Sequence, residues 1–278
     1  MIQVLLATYN GESYLKAQID SLLSQTFTKW QLLVHDDDSN DKTVEILLDY
    51  QQMYPEKIKV IDDSFNYGSA CKNFSHLLSM STSKYVMFCD QDDVWLPEKI
   101  EKSFIRIKEM EDLYGNIPIV VHTDLAVVDE SLNLIASSMF DYQGLNNSVE
   151  SLLQALVKNS VTGCAAIINR KAIEVSLPIL PSAVMHDWWV SANVLKYSGK
   201  IEFINESLIK YRQHSGNALG AKKQTISSLF FSVLNYSFNK NARSLIWEQA
   251  VSIDPKLNKL HFFLYKLYSS LRSFDIFK

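Results

Sequence analysis

The sequence predicts an α/β protein built on a mostly parallel sheet covered by helices. Within the first 115 residues a short apolar run, a polar turn and a stretch of helical spacing recur four times. Such a succession of strand–helix units implies right-handed crossovers and parallel strands. The length of 278 residues, 47% of them hydrophobic, is enough to bury a substantial core.

Ile2 to Ala7 reads as a buried strand, followed by the turn Tyr9-Asn10-Gly11 and by Leu15, Ile19, Leu22 and Leu23 at helical spacing. Trp30 to Val34 is the second strand. It runs into Asp36-Asp37-Asp38-Ser39-Asn40, after which Ser39 or Asp41 is expected to cap a helix carrying Val44, Leu47 and Leu48. Ile58 to Ile61 is the third strand and Ala70 to Met80 the third helix. Tyr85 to Cys89 is the fourth strand, and it leads directly into Asp90-Gln91-Asp92-Asp93. Pro97 stands where the next helix is expected to start, because proline at the first helical position wastes no hydrogen bond.

From about residue 117 the rhythm changes. Ile117 to Val121, Leu125 to Val128, Cys164 to Ile168, Ile201 to Ile204 and Leu208 to Tyr211 read as strands. Val149 to Val157, with Ser148 as its expected cap, and a stretch opened by His186-Asp187-Trp188-Trp189 read as helices. Lacking regular alternation, this half is expected to complete a site from above rather than repeat the first fold. In parallel sheets ligands bind outside the carboxyl ends of the strands, so the acidic turns after the first, second and fourth strands are expected to meet.

Charge and cysteine usage narrow the classes. The formal charge is −4, from 27 basic and 31 acidic residues, which argues against nucleic acid as a partner. Cys71, Cys89 and Cys164 lie far apart, with no zinc-ligand or disulfide spacing, and imply a reducing compartment. The chain shows neither a signal-peptide pattern nor a run of apolar residues long enough to span a bilayer. A cytoplasmic protein is expected. Residues 222–278 differ from the rest, with nine basic, three acidic and 11 aromatic side chains. Gln224 to Asn239 is an uncharged run of 16 residues flanked by Lys222, Lys223 and Lys240. It suits an interfacial helix on an anionic membrane, or a tail packed on its own domain or on a second copy in a homodimer.

Four constellations carry chemistry. Three carboxylates in Asp90-Gln91-Asp92-Asp93 repel one another unless a cation intervenes, and Mg²⁺ commonly takes one or two carboxylates together with phosphate oxygens. Asp90 and Asp92 alternate along the backbone and can face one side, whereas a plain acidic turn capping a helix explains the run equally well by itself. Asp36-Asp37-Asp38-Ser39 offers acceptors for a base N–H or ribose hydroxyls, alongside ordinary turn and cap roles. No Gly-x-Gly-x-x-Gly or Walker A motif is present. Asp187 beside two tryptophans suits a general base with a sugar-stacking surface, or simply a helix N-terminus with its aromatics in the core. Arg212 and His214 suit a diphosphate or a metal, or a polar strand end. Asn66 and Gly68 are expected to line the site, and Gly163-Cys164 suggests a close backbone approach.

Leu5-Leu6-Ala7-Thr8-Tyr9-Asn10, Leu23-Ser24-Gln25-Thr26-Phe27, His35-Asp36-Asp37-Asp38-Ser39-Asn40-Asp41-Lys42-Thr43 and Asp90-Gln91-Asp92-Asp93-Val94-Trp95-Leu96-Pro97 together resemble an inverting family 2 glycosyltransferase of GT-A fold. With Tyr211-Arg212-Gln213-His214 the pattern is similar to bacterial rhamnosyltransferases of surface-polysaccharide assembly. The resemblance covers roughly residues 1–220. It implies a catalytic domain over 1–221, with a nucleotide-binding half (1–115) and an acceptor half (116–221), and a basic, aromatic helical extension over 222–278.

The resemblance also implies roles. Ala7 and Tyr9 would lie beside the nucleotide base, and Asp37 would contact the nucleotide. Asp90 and Asp92 would be the outer members of the metal motif, Asp92 being the direct Mn²⁺ or Mg²⁺ ligand. Asp187 would be the catalytic base, and His214 would assist the diphosphate or metal. The donor implied is a nucleotide-diphosphate sugar, with dTDP-L-rhamnose preferred over a UDP-hexose or UDP-N-acetylhexosamine. The acceptor implied is a glycan or lipid-linked glycan, reached at the inner face of the membrane. Asp38 stands where the family commonly has glycine. The Gln-x-x-Arg-Trp segment of processive synthases is absent, so single-sugar transfer is expected. Two other classes fit less well. One is a non-catalytic nucleotide-sugar or glycan binder. The other is a haloacid-dehalogenase-like phosphohydrolase, whose nucleophile turn follows the first strand rather than the fourth.

Overall fold

The computed structural model describes residues 1–63, 65–145, 147–216, 221 and 240–272. Its first half follows the expected alternation: β1 (Ile2–Thr8), α1 (Leu15–Leu23), β2 (Trp30–Asp36), α2 (Thr43–Met53), β3 (Ile58–Val60), α3 (Ala70–Met80) and β4 (Tyr85–Cys89). These strands pair in parallel in the order β3-β2-β1-β4. A strand covered on both faces is apolar at most positions rather than alternating. Accordingly Ile2, Val4 and Leu6 of β1 enter the core beneath α1 and α2, while Leu5 points to the opposite core. β4 alternates likewise, Tyr85, Met87 and Cys89 against Val86 and Phe88.

The second half corrects one expectation. β5 (Val94–Trp95), α4 (Lys99–Tyr114), β6 (Ile119–Val128), β7 (Leu134–Ala136), α5 (Met139–Gln143), α6 (Leu152–Val157), β8 (Ala166–Asn169), α7 (Arg170–Ser176), α8 (His186–Lys196) and β9 (Lys200–Arg212) follow. The strands do not sit above the first sheet. They extend it, giving the order β3-β2-β1-β4-β8-β6-β9-β5 with β7 beside β6. β8 lies antiparallel to both β4 and β6, and β5 antiparallel to β9. Four residues of β8, all buried, are too few to announce their direction in sequence. The two apolar runs at 201–211 prove to be one strand, interrupted by register shifts against β6 rather than by a turn.

Helix starts also differ in detail. α6 is capped by Ser151 in a capping box with Gln154, and not by Ser148, which bonds Glu150. α2 starts from Lys42, and Asp41 accepts the Thr43 amide from just before the cap. α4 begins two residues beyond Pro97, whose carbonyl accepts the Thr26 amide.

α1, α2 and α4 cover one face of the sheet, and α3, α7 and α8 the other. A third apolar cluster joins α6 and α8 to two helices of the C-terminal extension, α9 (Lys240–Ile253) and α10 (Lys259–Arg272), around Trp189, Ala250, Ile253 and Phe262. That part of the extension packs on its own chain. The 224–239 run, with its flanking Lys222 and Lys223, lies outside the described residues. Among the described residues no helix is long and apolar enough to cross a membrane.

Candidate active site

Because β1, β2 and β4 are parallel neighbours, the turns after them share one edge of the sheet, where a cleft of about 580 Å³ opens. Ala7, Tyr9, Asp37, Asn66, Gly68, Asp90, Asp92 and Asp187 all line it. Arg212 and His214 are not among its described lining residues and meet the cleft through Asp92.

The consecutive aspartates after β2 divide their work by direction. Asp36 accepts from Thr8 Oγ1 (2.7 Å), from the Ser39 amide (2.8 Å) and from the Ser39 hydroxyl (2.7 Å), so it ties the turn together. Asp37 turns into the cleft and accepts the Tyr67 amide at 2.5 Å. Asp38 holds φ +67, a left-handed conformation that glycine takes freely and Asp tolerates better than most residues. Its carboxylate accepts from Asn66 Nδ2 at 3.2 Å.

In the acidic turn, Gln91 lines the cleft beside Asp90 and Asp92 and reaches the end of β1. There its amide clamps Tyr9, accepting from the backbone N–H and donating to the carbonyl, each at 2.9 Å. A Cβ on Gly11 would lie 2.4 Å from this side chain, so a larger residue there would displace the Gln91 amide from its clamp. Sequence reading passed over Gln91.

Burial, then repulsion from Asp92, raises the pKa of Asp90, and the same causes raise that of fully buried Asp93. Ligand atoms of Asp90, Asp93 and Cys164 lie within 4.8 Å of one another. The Cys164 thiol is held protonated by burial, which leaves oxygen donors as the working set. Crowded carboxylates of this kind fit a hard divalent cation. Lys99 is buried with its Nζ 3.6 Å over the Trp95 ring, near Asp93, and burial pushes its pKa down to about 7.

Pairing of β5 with β9 brings the end of β9 to this turn. Arg212 donates from its backbone N–H to Asp93 Oδ1 (3.1 Å) and from Nε to the Asp92 carbonyl (2.7 Å). His214 Nε2 lies 2.9 Å from Asp92 Oδ2, while its Nδ1 accepts the Gly216 amide at 3.1 Å. With Nδ1 accepting, Nε2 carries the hydrogen and donates to Asp92.

Across the cleft, Asp187 occupies the first turn of α8. Its Oδ2 accepts the Gly163 amide at 2.9 Å and its Oδ1 the Trp188 amide at 2.6 Å. Burial nevertheless raises its pKa to about 6, against the opposing pull of those amides. A Cβ on Gly163 would meet His186 Nε2 at 2.7 Å and Asp187 Cβ at 3.4 Å, the close approach expected there. His186 is packed between Phe74 (4.2 Å) and Phe88 (4.7 Å), and burial pushes its pKa down to about 3, so it stays neutral. Trp188 and Trp189 do not line the cleft; their indole N–H groups donate to the Ala155 and Ser176 carbonyls.

Residues 3–176 match the family model described as "Glycosyl transferase family 2". The chain belongs to this family. It is a glycosyltransferase, and its mixed sheet between two helical layers is the GT-A-like fold. Among curated relatives, this glycosyltransferase is 27% identical over 231 residues to the Shigella flexneri dTDP-rhamnosyl transferase RfbG, covering 78% of this chain and 74% of that one. It is 26% identical over 217 residues to the Escherichia coli UDP-Glc:alpha-D-GlcNAc-diphosphoundecaprenol beta-1,3-glucosyltransferase WfgD, covering 76% and 77%. Among solved structures, residues 1–349 of S. aureus TarS in complex with UDP-GlcNAc match with a TM-score of 0.64 at 18% identity, covering 96% of this chain and 72% of that one. At that identity the likeness concerns the fold.

Proposed function

We propose that this glycosyltransferase moves a single sugar from a nucleotide-diphosphate donor to a hydroxyl of a glycan or lipid-linked glycan, with inversion at the anomeric carbon. The observation that carries the reading is one cleft lined by Asp37, Asp90 and Asp92 on one side and by Asp187 on the other. In this reading residues 1–221 form the catalytic domain and 222–278 an extension. Ala7, Tyr9, Asp37, Asn66 and Gly68 hold the nucleoside. Asp90 and Asp92 hold Mn²⁺ or Mg²⁺, which when bound supplies positive charge against the diphosphate. Arg212 and His214 keep Asp92 aimed, as outer partners of a metal-ligating carboxylate do.

Asp187 takes the proton from the acceptor hydroxyl while that oxygen attacks the sugar carbon from the face opposite the leaving diphosphate. A single displacement inverts the centre. A pKa near 6 leaves the carboxylate ionised at neutral pH yet basic enough to accept the proton.

For the donor, a UDP-hexose or UDP-N-acetylhexosamine is the better-supported reading, since WfgD is named for UDP-Glc and the TarS structure carries UDP-GlcNAc. dTDP-L-rhamnose is the second reading, supported by the likeness to RfbG. A donor panel with lipid-linked glycan acceptors, scored by nucleoside-diphosphate release, tests both. Release of UDP well above dTDP is expected, and the reverse result would favour rhamnosyl transfer. Chelation should abolish turnover, and Mn²⁺ or Mg²⁺ should restore it. Asp187→Asn should lower kcat by ~10²–10⁴-fold with donor affinity nearly unchanged, and unchanged turnover would remove Asp187 as the base. Asp92→Asn should weaken donor binding and turnover together.

A further inference from the structure

We propose that His35, Asp63 and His76 form a second divalent-metal site, of the zinc class, separate from the acidic turn. His35 is the penultimate residue of β2, Asp63 follows β3, and His76 lies on α3, so three elements converge here. His35 Nε2 lies 2.9 Å from Asp63 Oδ1, and His76 Nε2 lies 2.9 Å from Asp63 Oδ2. One donor atom from each residue falls within 4.8 Å of the others.

The decisive contact is behind the first histidine. Asn73 Nδ2 donates to the His35 carbonyl at 3.2 Å, which fixes the amide with its oxygen toward the ring. Asn73 Oδ1 therefore accepts from His35 Nδ1 at 2.9 Å. Both residues are buried, with no room to reverse the amide without setting oxygen against oxygen. A neutral His35 thus carries its hydrogen on Nδ1 and presents a bare lone pair at Nε2, pointed straight at a carboxylate. A lone pair facing an anion at hydrogen-bond distance calls for positive charge at that point, which a divalent ion shared with His76 would supply.

His214 supplies the contrast: there Nδ1 accepts a backbone amide, so the Nε2 hydrogen serves Asp92 without any added cation. Around Asp63 the ligand set is two imidazoles and a carboxylate, the donor set of three-ligand zinc sites with water in the fourth place. Two ligands ~2.0–2.1 Å from one tetrahedral ion stand about 3.3 Å apart, so small rotations of these side chains would seat it. Asn73 would be the outer partner that fixes the ligating tautomer. Bound metal would join β2 and α3 to the segment carrying Asn66 and Tyr67, whose amide holds Asp37.

The test uses the full-length chain with Asp92→Asn as background, so that zinc at the acidic turn is not counted. After removal of metal, equilibrium dialysis against Zn²⁺ should leave one zinc per chain, and Co²⁺ in its place should give the visible bands of a four-coordinate site. Adding His76→Gln, at a side chain open enough to tolerate the change, should abolish both while the far-ultraviolet circular dichroism stays unaltered. Asn73→Ala should weaken zinc binding by ~10–100-fold. Zinc content that is unaffected by His76→Gln, or absent throughout, would overturn the proposal.

Discussion

At the scale of single residues, the cleft works through carboxylates whose surroundings set them apart. Asp36 is consumed by Thr8 and Ser39, whereas Asp37, one position on, lines the cleft and accepts the Tyr67 amide. Asp187 has its pKa raised by burial to about 6, so the free enzyme should lose kcat/KM with decreasing pH as that group takes up a proton. A log kcat/KM profile rising with unit slope to about pH 6 is expected, and Asp187→Asn should abolish that limb. The same shift has a stability consequence: the folded state binds the proton more tightly than the unfolded chain, so this group favours folding increasingly as pH falls from about 6 toward the ordinary carboxylate range. Gly163→Ala would drive a methyl into His186 and toward Asp187. Overpacking of ~1–3 kcal/mol is expected, with a lowered melting temperature and a turnover loss larger than any change in donor KM.

At the scale of elements, a two-residue strand decides the geometry of the acidic turn. β5 pairs with β9, and this contact, together with the β6 pairing that runs to Arg212, brings Arg212 and His214 to Asp92 and Asp93 from a position remote in sequence. The Ser24-Gln25-Thr26-Phe27 segment, noticed in the sequence only as part of a family pattern, has a structural purpose here. Gln25 donates to the Leu96 carbonyl at 2.8 Å and accepts the Ile100 amide at 3.0 Å, fastening α1 to the segment between the acidic turn and α4. Gln25→Ala leaves both backbone groups without that partner inside the protein. A cost of ~1–3 kcal/mol in chemical denaturation is expected. The strands and helices of the first half were legible because each carries its own periodicity and turn residues. The direction of β8 and the continuity of β9 were not, since a short apolar run reads the same whichever neighbour it pairs with.

At the scale of the molecule, two helical layers enclose one sheet, and α9 and α10 add a third apolar cluster against α6 and α8. This cluster supports α8, and hence Asp187, from the side away from the sheet. Gln249 Oε1 also accepts the Val184 amide at 2.7 Å, just ahead of that helix. Phe262 is fully buried, so Phe262→Ala should cost ~3–5 kcal/mol and lower the melting temperature markedly. Turnover measured well below that temperature should fall less than in Gly163→Ala, because the cavity lies farther from Asp187. The composition shift at residue 222 was legible in the sequence, yet composition alone does not distinguish a membrane-facing helix from one that covers its neighbour.

The amino-acid sequence by itself determined the α/β class, the order of the first elements and which carboxylates stand at strand ends, because periodicity and turn chemistry are local properties. Only the tertiary structure decided that Gln91 braces β1, that Arg212 and His214 serve Asp92, and that His35 faces Asp63 and His76. Those relations depend on strand pairing and helix docking between residues far apart along the chain, where the energy of a contact exists only after the sheet has brought its members together.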